Sequence, residues 1–397
     1  MIHYQTEREK ERFWIGENEF LPEYELKTES VFAQCNGYMG VRAAHPFSLI
    51  EEQRGMFLSG AFNKAYEGEV TELVNCPDVT WFGLEIDGEK IYPERSCLKS
   101  FERKLDIFSG ELVIHYVFDL GEKGEVLVEN RRFAPMAQTN LFAQSLRVQF
   151  LDGRNRQVKI KTGINGQMTN SGVSHFHTST ARVYDKEIME IRSELENGTV
   201  TEAVGCKVVC GVQEEKEFNL KRRSVYGTYV VTPEDKEVIF EKVTFADQGE
   251  DGITTEERKQ ALAAALNKGY DVLLEEQQAK MKEFWDVTRV HVDGMSEAEE
   301  AAVCFAQYHI LGMTPWHTNS CSRCSYTDIL RRQNVYWNSA TEGWTEQGRK
   351  RRTTGLKGRC SLGKQHVPVK RKLRFMQHST YIPVRQTKFG PVLKNIM

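Results

Sequence analysis

The sequence predicts a mainly β protein, with a large amino-terminal β-sandwich, then helices, then an irregular carboxy-terminal tail. Three observations carry this. From about Ser30 to Phe245, β-branched and aromatic runs alternate with turn residues. Near Thr254 the apolar period changes from two to about three and a half, the change from strand to helix. Beyond Thr318 no periodic segment longer than a few residues remains, and the charge reverses. Residues 319–397 hold 17 Lys+Arg against 3 Asp+Glu, and residues 1–318 hold 36 against 53, so the two parts are net +14 and −17.

With 397 residues, 40% of them apolar, the chain is long enough for two or three domains with real cores. Its formal net charge of −3 hides the asymmetry and so says nothing about partners. Residues 1–10 lack the apolar core of a signal peptide, and no later run approaches the roughly 18 apolar residues of a membrane span. Nine cysteines, an odd number without repeated spacing, suit a reducing compartment better than a disulfide framework. The expected location is cytoplasmic.

The strands come first. Leu112–Phe118, Val126–Val128, Leu141–Phe150, Gln157–Lys161 and Lys236–Phe245 are β-branched or aromatic, several with period-two alternation. Asp87-Gly88 and Asp152-Gly153 separate such runs as turn dipeptides. Many short strands between turns favour a large sandwich. Thr254 and Glu257 then form a capping-box pattern ahead of an apolar stripe of Ala261, Leu262, Ala265 and Leu266. A second helix is expected from about Tyr270 to Trp285, with Leu274, Met281 and Trp285 on one face. After the Asp293-Gly294 turn, Ser296 and Glu299 repeat the cap, and an apolar helix from Ala301 to Leu311 is expected to end at Gly312.

Six ordered motifs resemble glycoside hydrolase family 65, the inverting disaccharide phosphorylases acting on kojibiose, nigerose, maltose or trehalose. Gln34-Cys-Asn-Gly-Tyr-Met-Gly-Val-Arg42 is similar to the family's GNGYLGxR, with Cys35 in place of the usual Gly. Arg54–Gly60, Glu72–Asp78, Arg103–Leu112 and Arg131–Phe133 follow in the family's order, and Tyr308–Pro315 is similar to the YHLxxMTP that ends the first barrel helix. The resemblance covers roughly Ser30 to Pro315. It implies a sandwich, a helical linker and an (α/α)6 barrel holding the active site, of which this chain carries a fragment. The organisation expected is a sandwich over residues 1–250, a linker over 251–294, the first barrel helix over 295–318 and a basic tail over 319–397.

The family's next segment, AKGLTGEGYxGHxFWDTE, is missing. Trp316-His-Thr318 preserves part of its FWDT, with His317 where the family has Asp, which leaves Trp316 as the one substrate-binding candidate. With synonymous codons chosen for Thr353 to Lys364, reading one nucleotide earlier yields NGFKGAMFPWE, a barrel motif of the family. The same shift over Gln333 to Arg349 permits PKRLLEFRYRGLDGARE, and over Pro383 to Met397 it permits TGKANKIWTGIEEHH. An internal loss of codons and a frameshift near Thr318 therefore explain the charge break, the lost periodicity and the truncated resemblance together.

An inverting phosphorylase needs one carboxylic acid to protonate the leaving sugar oxygen while phosphate attacks the opposite face. In the family these groups lie deeper in the barrel, so no catalytic residue is assigned before Thr318. The resemblance implies inorganic phosphate as co-substrate and no cofactor, a disaccharide as the other substrate, and dimer contacts through the sandwich. The Asn36–Arg42 motif reads as structural, with Arg42 pairing inside the sandwich. Ser174-His-Phe-His177 would place two imidazoles on one strand face, but with no third metal ligand nearby it reads as a solvated strand edge. Cys321-Ser-Arg-Cys324, with Cys360 and His366 later in the tail, could suggest a zinc site but reads as accidental. The basic tail with Tyr336, Trp337 and Trp344 fits nonspecific polyanion contact, without a nucleic-acid-binding fold behind it. Phe284-Trp285 and Trp81-Phe82 read as packing rather than as a sugar platform.

Overall fold

The computed structural model describes residues 3–7, 12–49, 53–64, 66–94, 96–196, 198–249, 253–290 and 292–314. Trp316 and the whole of the basic tail, including the Cys321/Cys324 pair, lie outside the described residues.

The fold is mainly antiparallel β. Ten strands form one sheet in the order His3–Glu7, Arg12–Glu17, Leu98–Asp106, Leu112–Asp119, Glu125–Phe133, Leu141–Phe150, Glu237–Gln248, Gly198–Cys210, Ile188–Leu195, Ser179–Tyr184. Five strands form the facing sheet, in the order Val212–Lys221, Ser224–Thr232, Val158–Asn165, Phe82–Ile86, Glu89–Ile91. Phe240 of the large sheet meets Phe82 and Tyr229 of the small one edge-on, at 6.3 and 4.9 Å between ring centroids. Contacts of this geometry add about 0.5–1.5 kcal/mol to the burial of the rings themselves.

Glu237–Gln248, the last strand among the described residues, occupies the middle of the large sheet. It joins Leu141–Phe150 on one side to Gly198–Cys210 on the other. Both faces of this region are covered. The small sheet packs on one, and on the other Phe133, Leu141, Val243 and Phe245 pack against Leu262, Ala265, Tyr270, Leu273 and Leu274. Strands covered on both sides lose strict alternation, which is why Leu141–Leu146 is buried without a break.

A short helix, α1 (Glu25–Val31), precedes the strands of the Asn36 motif. The long helices are α2 (Thr255–Lys268), α3 (Tyr270–Thr288) and α4 (Glu297–Met313). Thr254–Glu257 and Ser296–Glu299 both form complete capping boxes, each worth about 1 kcal/mol. In α3 the expected stripe of Leu274, Met281 and Trp285 is buried. The Trp285 indole N–H donates to Phe108 O at 3.1 Å, and the two rings are 4.8 Å apart.

Three expectations change. The strand expected at Val126–Val128 runs over Glu125–Phe133. Gly312 does not end its helix but lies in the last turn of α4, where a close neighbour excludes any side chain. Ser174–His177 is a loop and not a strand, and its imidazoles point apart. His175 is buried beside Glu72, with Nε2 3.3 Å from Oε2, whereas His177 is exposed.

Candidate functional site

The motif arginines converge on the interior of the sandwich. Arg42 grips Glu29 of α1 at 2.9 Å and also donates to Ser30 Oγ at 2.9 Å and to Gln53 O at 2.8 Å. Arg54 donates to Thr80 Oγ1 at 2.8 Å and to the carbonyls of His45 and Phe47 at 2.6 and 3.0 Å, with Asp78 at 3.4 Å. These bonds splice the loop after the Asn36 motif to the start of the small sheet.

Arg103 is the centre of the largest cluster and is fully buried. Its Nε donates to Glu17 at 2.7 Å, its Nη2 to Glu25 Oε1 at 2.9 Å and to Thr28 Oγ1 at 2.7 Å, and its Nη1 to Ala43 O at 3.1 Å. Glu25 in turn receives His45 Nε2 at 2.8 Å, and the other imidazole nitrogen meets the Tyr116 hydroxyl. Burial alone would push the Glu25 carboxyl up, but His45 and Arg103 outweigh it and bring it down to about 2. Burial lowers the His45 pKa, so at neutral pH the ring is neutral, donating from Nε2 and accepting from Tyr116 at Nδ1.

The same interior holds Lys242, whose ammonium donates to Thr162 Oγ1 at 2.7 Å and Gly163 O at 3.3 Å across the two sheets. Burial lowers its pKa to about 8. Arg132 donates to Ala44 O at 2.6 Å.

Carboxyls shifted upward include Glu17, Glu29, Glu111, Glu202 and Asp247, and burial is the first cause in each. Four of them face arginines: Arg103, Arg42, Arg131 and Arg258. Glu202 has none. It is fully buried, neither oxygen has a hydrogen-bond partner, and its charged neighbours Asp78 and Asp247 push it further up, well above the usual carboxylate range. Its one sequence signal is parity: Val200, Glu202, Val204 and Cys206 share a strand face, so an acid stands in an apolar row. A general acid must reach a substrate that arrives from solution, and these buried carboxyls do not.

A second feature links the first motif to the last helix. Asn36 is fully buried and uses its whole amide: Oδ1 accepts from the N–H groups of Tyr38 and Met39, and Nδ2 donates to the carbonyls of Pro135 and Thr139. This holds Gly37 at φ 82°, a left-handed conformation that favours glycine, with its N–H donating to Gly312 O at 2.9 Å. On the same seam the Tyr308 hydroxyl donates to Ala33 O at 3.1 Å, and Cys35 packs directly on Gly312. The Asn36–Arg42 motif is thus a socket for the end of α4. Among the described residues no group of three or more His, Cys, Asp or Glu is placed to hold a metal ion.

Comparison with known proteins places this geometry. Residues 15–284 match the family described as glycosyl hydrolase family 65, N-terminal domain. A kojibiose phosphorylase of Halothermothrix orenii is 30% identical over 345 residues, covering 81% of this chain and 43% of the relative. The kojibiose phosphorylase of Escherichia coli K12 is 27% identical over 321 residues, covering 79% and 42%. A nigerose phosphorylase of Lachnoclostridium phytofermentans is 23% identical, covering 72% and 41%. The chain spans less than half the length of these relatives. A solved structure described as a kojibiose phosphorylase from the human microbiome shares the fold, with a TM-score of 0.68 at 14% identity over 78% of this chain and 42% of that one.

Proposed function

Because the chain belongs to glycosyl hydrolase family 65, we propose that it is the sandwich-bearing part of an inverting glycoside phosphorylase. The parent reaction is phosphorolysis of an α-glucosyl disaccharide, of the kojibiose, nigerose, maltose or trehalose type, to β-glucose 1-phosphate and a free sugar. The names of the relatives, two kojibiose phosphorylases and a nigerose phosphorylase among them, support this class.

The observation that carries the reading is the socket. A motif near residue 37 is built to receive the carboxy-terminal end of α4, the helix with which the family's catalytic barrel begins. In this reading residues 1–250 are the sandwich, 251–294 the linker, 295–318 the first barrel helix, with Trp316 as its substrate-binding candidate, and 319–397 out-of-frame protein. The described cysteines, all six of them free, fit a cytoplasmic protein.

The chain as written is therefore inactive. Incubation with phosphate and each of the four disaccharides should release no glucose 1-phosphate, and turnover on any of them would overturn the reading. Sequencing the coding DNA from codon 300 onward tests the frame. An unbroken barrel frame would place the fault in the sequence and restore a working phosphorylase.

A second reading, a noncatalytic sandwich module that binds carbohydrate or a partner subunit, is favoured by the half-buried Trp81 on the outer face of the five-stranded sheet.

A further inference from the structure

Residues 81, 83 and 85 alternate with the buried Phe82, Leu84 and Ile86, so they face outward from the small sheet. Trp81 lies back over position 83: a Cβ there would stand 2.9 Å from its Cη2 and 3.0 Å from its Cζ2, so only glycine lets the indole rest on the backbone. Tyr226, two strands away across Val158–Asn165, meets it edge-on at 5.7 Å. Trp81 nevertheless stays only half-buried. An aromatic ring fixed by its neighbours on a strand surface loses little entropy when a ligand stacks on it.

Two polar groups beside it donate no hydrogen bond to an acceptor among the described residues. The indole N–H donates to no acceptor among the described residues, although the Trp81 carbonyl is used by Thr162 at 2.7 Å. The ammonium of Lys161, directly across from Gly83, stands 5.1 Å from the Tyr226 ring centroid and 6.0 Å from that of Trp81, and forms no ion pair among the described residues. One register step away, Glu85 and Lys159 form a 3.5 Å ion pair, which adds an acceptor and a donor of balanced charge to the same face.

We propose that Trp81, with Tyr226 and Lys161, is a binding platform for a neutral hexopyranose chain. The C–H face of a pyranose ring stacks on the indole. Its hydroxyls accept from the indole N–H and the Lys161 ammonium, and donate to Glu85. Glu85 and Lys159 cancel as a pair, and the row of outward positions 81, 83 and 85 along one strand suits an extended chain. The inference rests on the carbohydrate-binding reading of the sandwich and is independent of phosphorolysis.

The test is native electrophoresis of the full chain through gels containing soluble neutral glucans, α- and β-linked, with a sulfated glucan alongside. At least one neutral glucan should retard the wild type. Trp81→Ala should weaken the effect about tenfold or more, since a stacked aromatic anchor carries most of the energy of such a site. Lys161→Ala should weaken it less, and Tyr24→Ala, at an exposed ring on α1's amino-terminal side, should leave it unchanged. Saturation-transfer NMR on the wild type should show transfer to the ring C–H protons of the bound sugar, a readout that stands even if Trp81→Ala fails to fold.

Retardation by none of the neutral glucans, retardation by the sulfated one alone, equal retardation of Trp81→Ala, or no transfer to the sugar would overturn the proposal. Any glucose 1-phosphate formed would bear on the phosphorylase reading alone.

Discussion

Cys35 and Gly312 are packed against each other so closely that a Cβ on Gly312 would stand 1.9 Å from Cys35 Sγ and 3.0 Å from its Cβ. Burial pushes the Cys35 thiol up to about 12, so this contact is between a neutral thiol and a helix backbone. Gly312→Ala in an unconstrained helix would gain about 1 kcal/mol. Here it should instead cost about 1–3 kcal/mol, because a core that is already packed must shift. Cys35→Gly should recover much of that loss in the double variant. A double-mutant cycle in urea checks it, and strict additivity of the two changes would contradict the contact.

Arg103 neutralises Glu17 and Glu25 at once, with no solvent to replace it. Arg103→Met should cost about 3–5 kcal/mol, the usual consequence of stranding buried charge. The Glu25 carboxyl, held down at about 2, stabilises the fold fully above the ordinary unfolded-state carboxylate pKa near 4.3. That contribution fades as pH falls from there toward 2, because protons then bind the unfolded chain first. Acid titration followed by tryptophan fluorescence should show this loss in the wild type and a smaller one in His45→Gln, where one of the two groups lowering Glu25 is gone.

Glu202 has the opposite sign. Its folded pKa is raised, so its contribution is most favourable below the unfolded value and is lost as pH rises through the folded one. Glu202→Gln should therefore stabilise the chain relative to wild type by an amount that grows from pH 5 to pH 9. Urea midpoints at several pH values measure it, and a pH-independent difference would show that the carboxyl is not buried as described.

Ser296 caps α4 through Glu299, with the Glu299 N–H donating to its hydroxyl at 3.4 Å and its own N–H donating to the Glu299 carboxylate at 2.9 Å. Ser296→Ala should cost about 1 kcal/mol. Hydrogen exchange should show the loss concentrated in α4 and in the Gly37 N–H that bonds to its last turn. Unchanged protection at Gly37 would mean that the socket holds without the helix.

How much of this was legible in the sequence follows from the range of each interaction. Both capping boxes were, because the four residues concerned specify their own geometry. The strand Leu112–Phe118 was as well, since its alternation matches one buried and one half-buried face. Val126–Val128 was too short an expectation: the strand runs on to Phe133 through Glu129, Asn130, Arg131 and Arg132. That polar run reads as a loop until it is known that the inward members, Asn130 and Arg132, find backbone carbonyls at Ser145 and Ala44. Gly312 was misread for the same reason. A glycine near the end of a helix usually marks its cap, and only a residue 277 positions earlier, Cys35, reveals that it marks a contact. Trp81 reads as core from its neighbour Phe82, and only the strand's parity turns the two apart.

The position of Glu237–Gln248 also bears on how the chain comes off the ribosome. The last strand synthesised among those of the large sheet is its keystone, so until it emerges the six strands from His3–Glu7 to Leu141–Phe150 in the sheet order and the Ser179–Cys210 meander are two separate ribbons. Each carries an unpaired inner edge, Leu141–Phe150 on one and Gly198–Cys210 on the other, and most of both strands is buried in the finished sheet. Such edges pair readily with any available strand. A nascent chain stalled before residue 237 is thus exposed to misassembly with its neighbours on the same message, and completion of one strand ends that hazard on both sides at once.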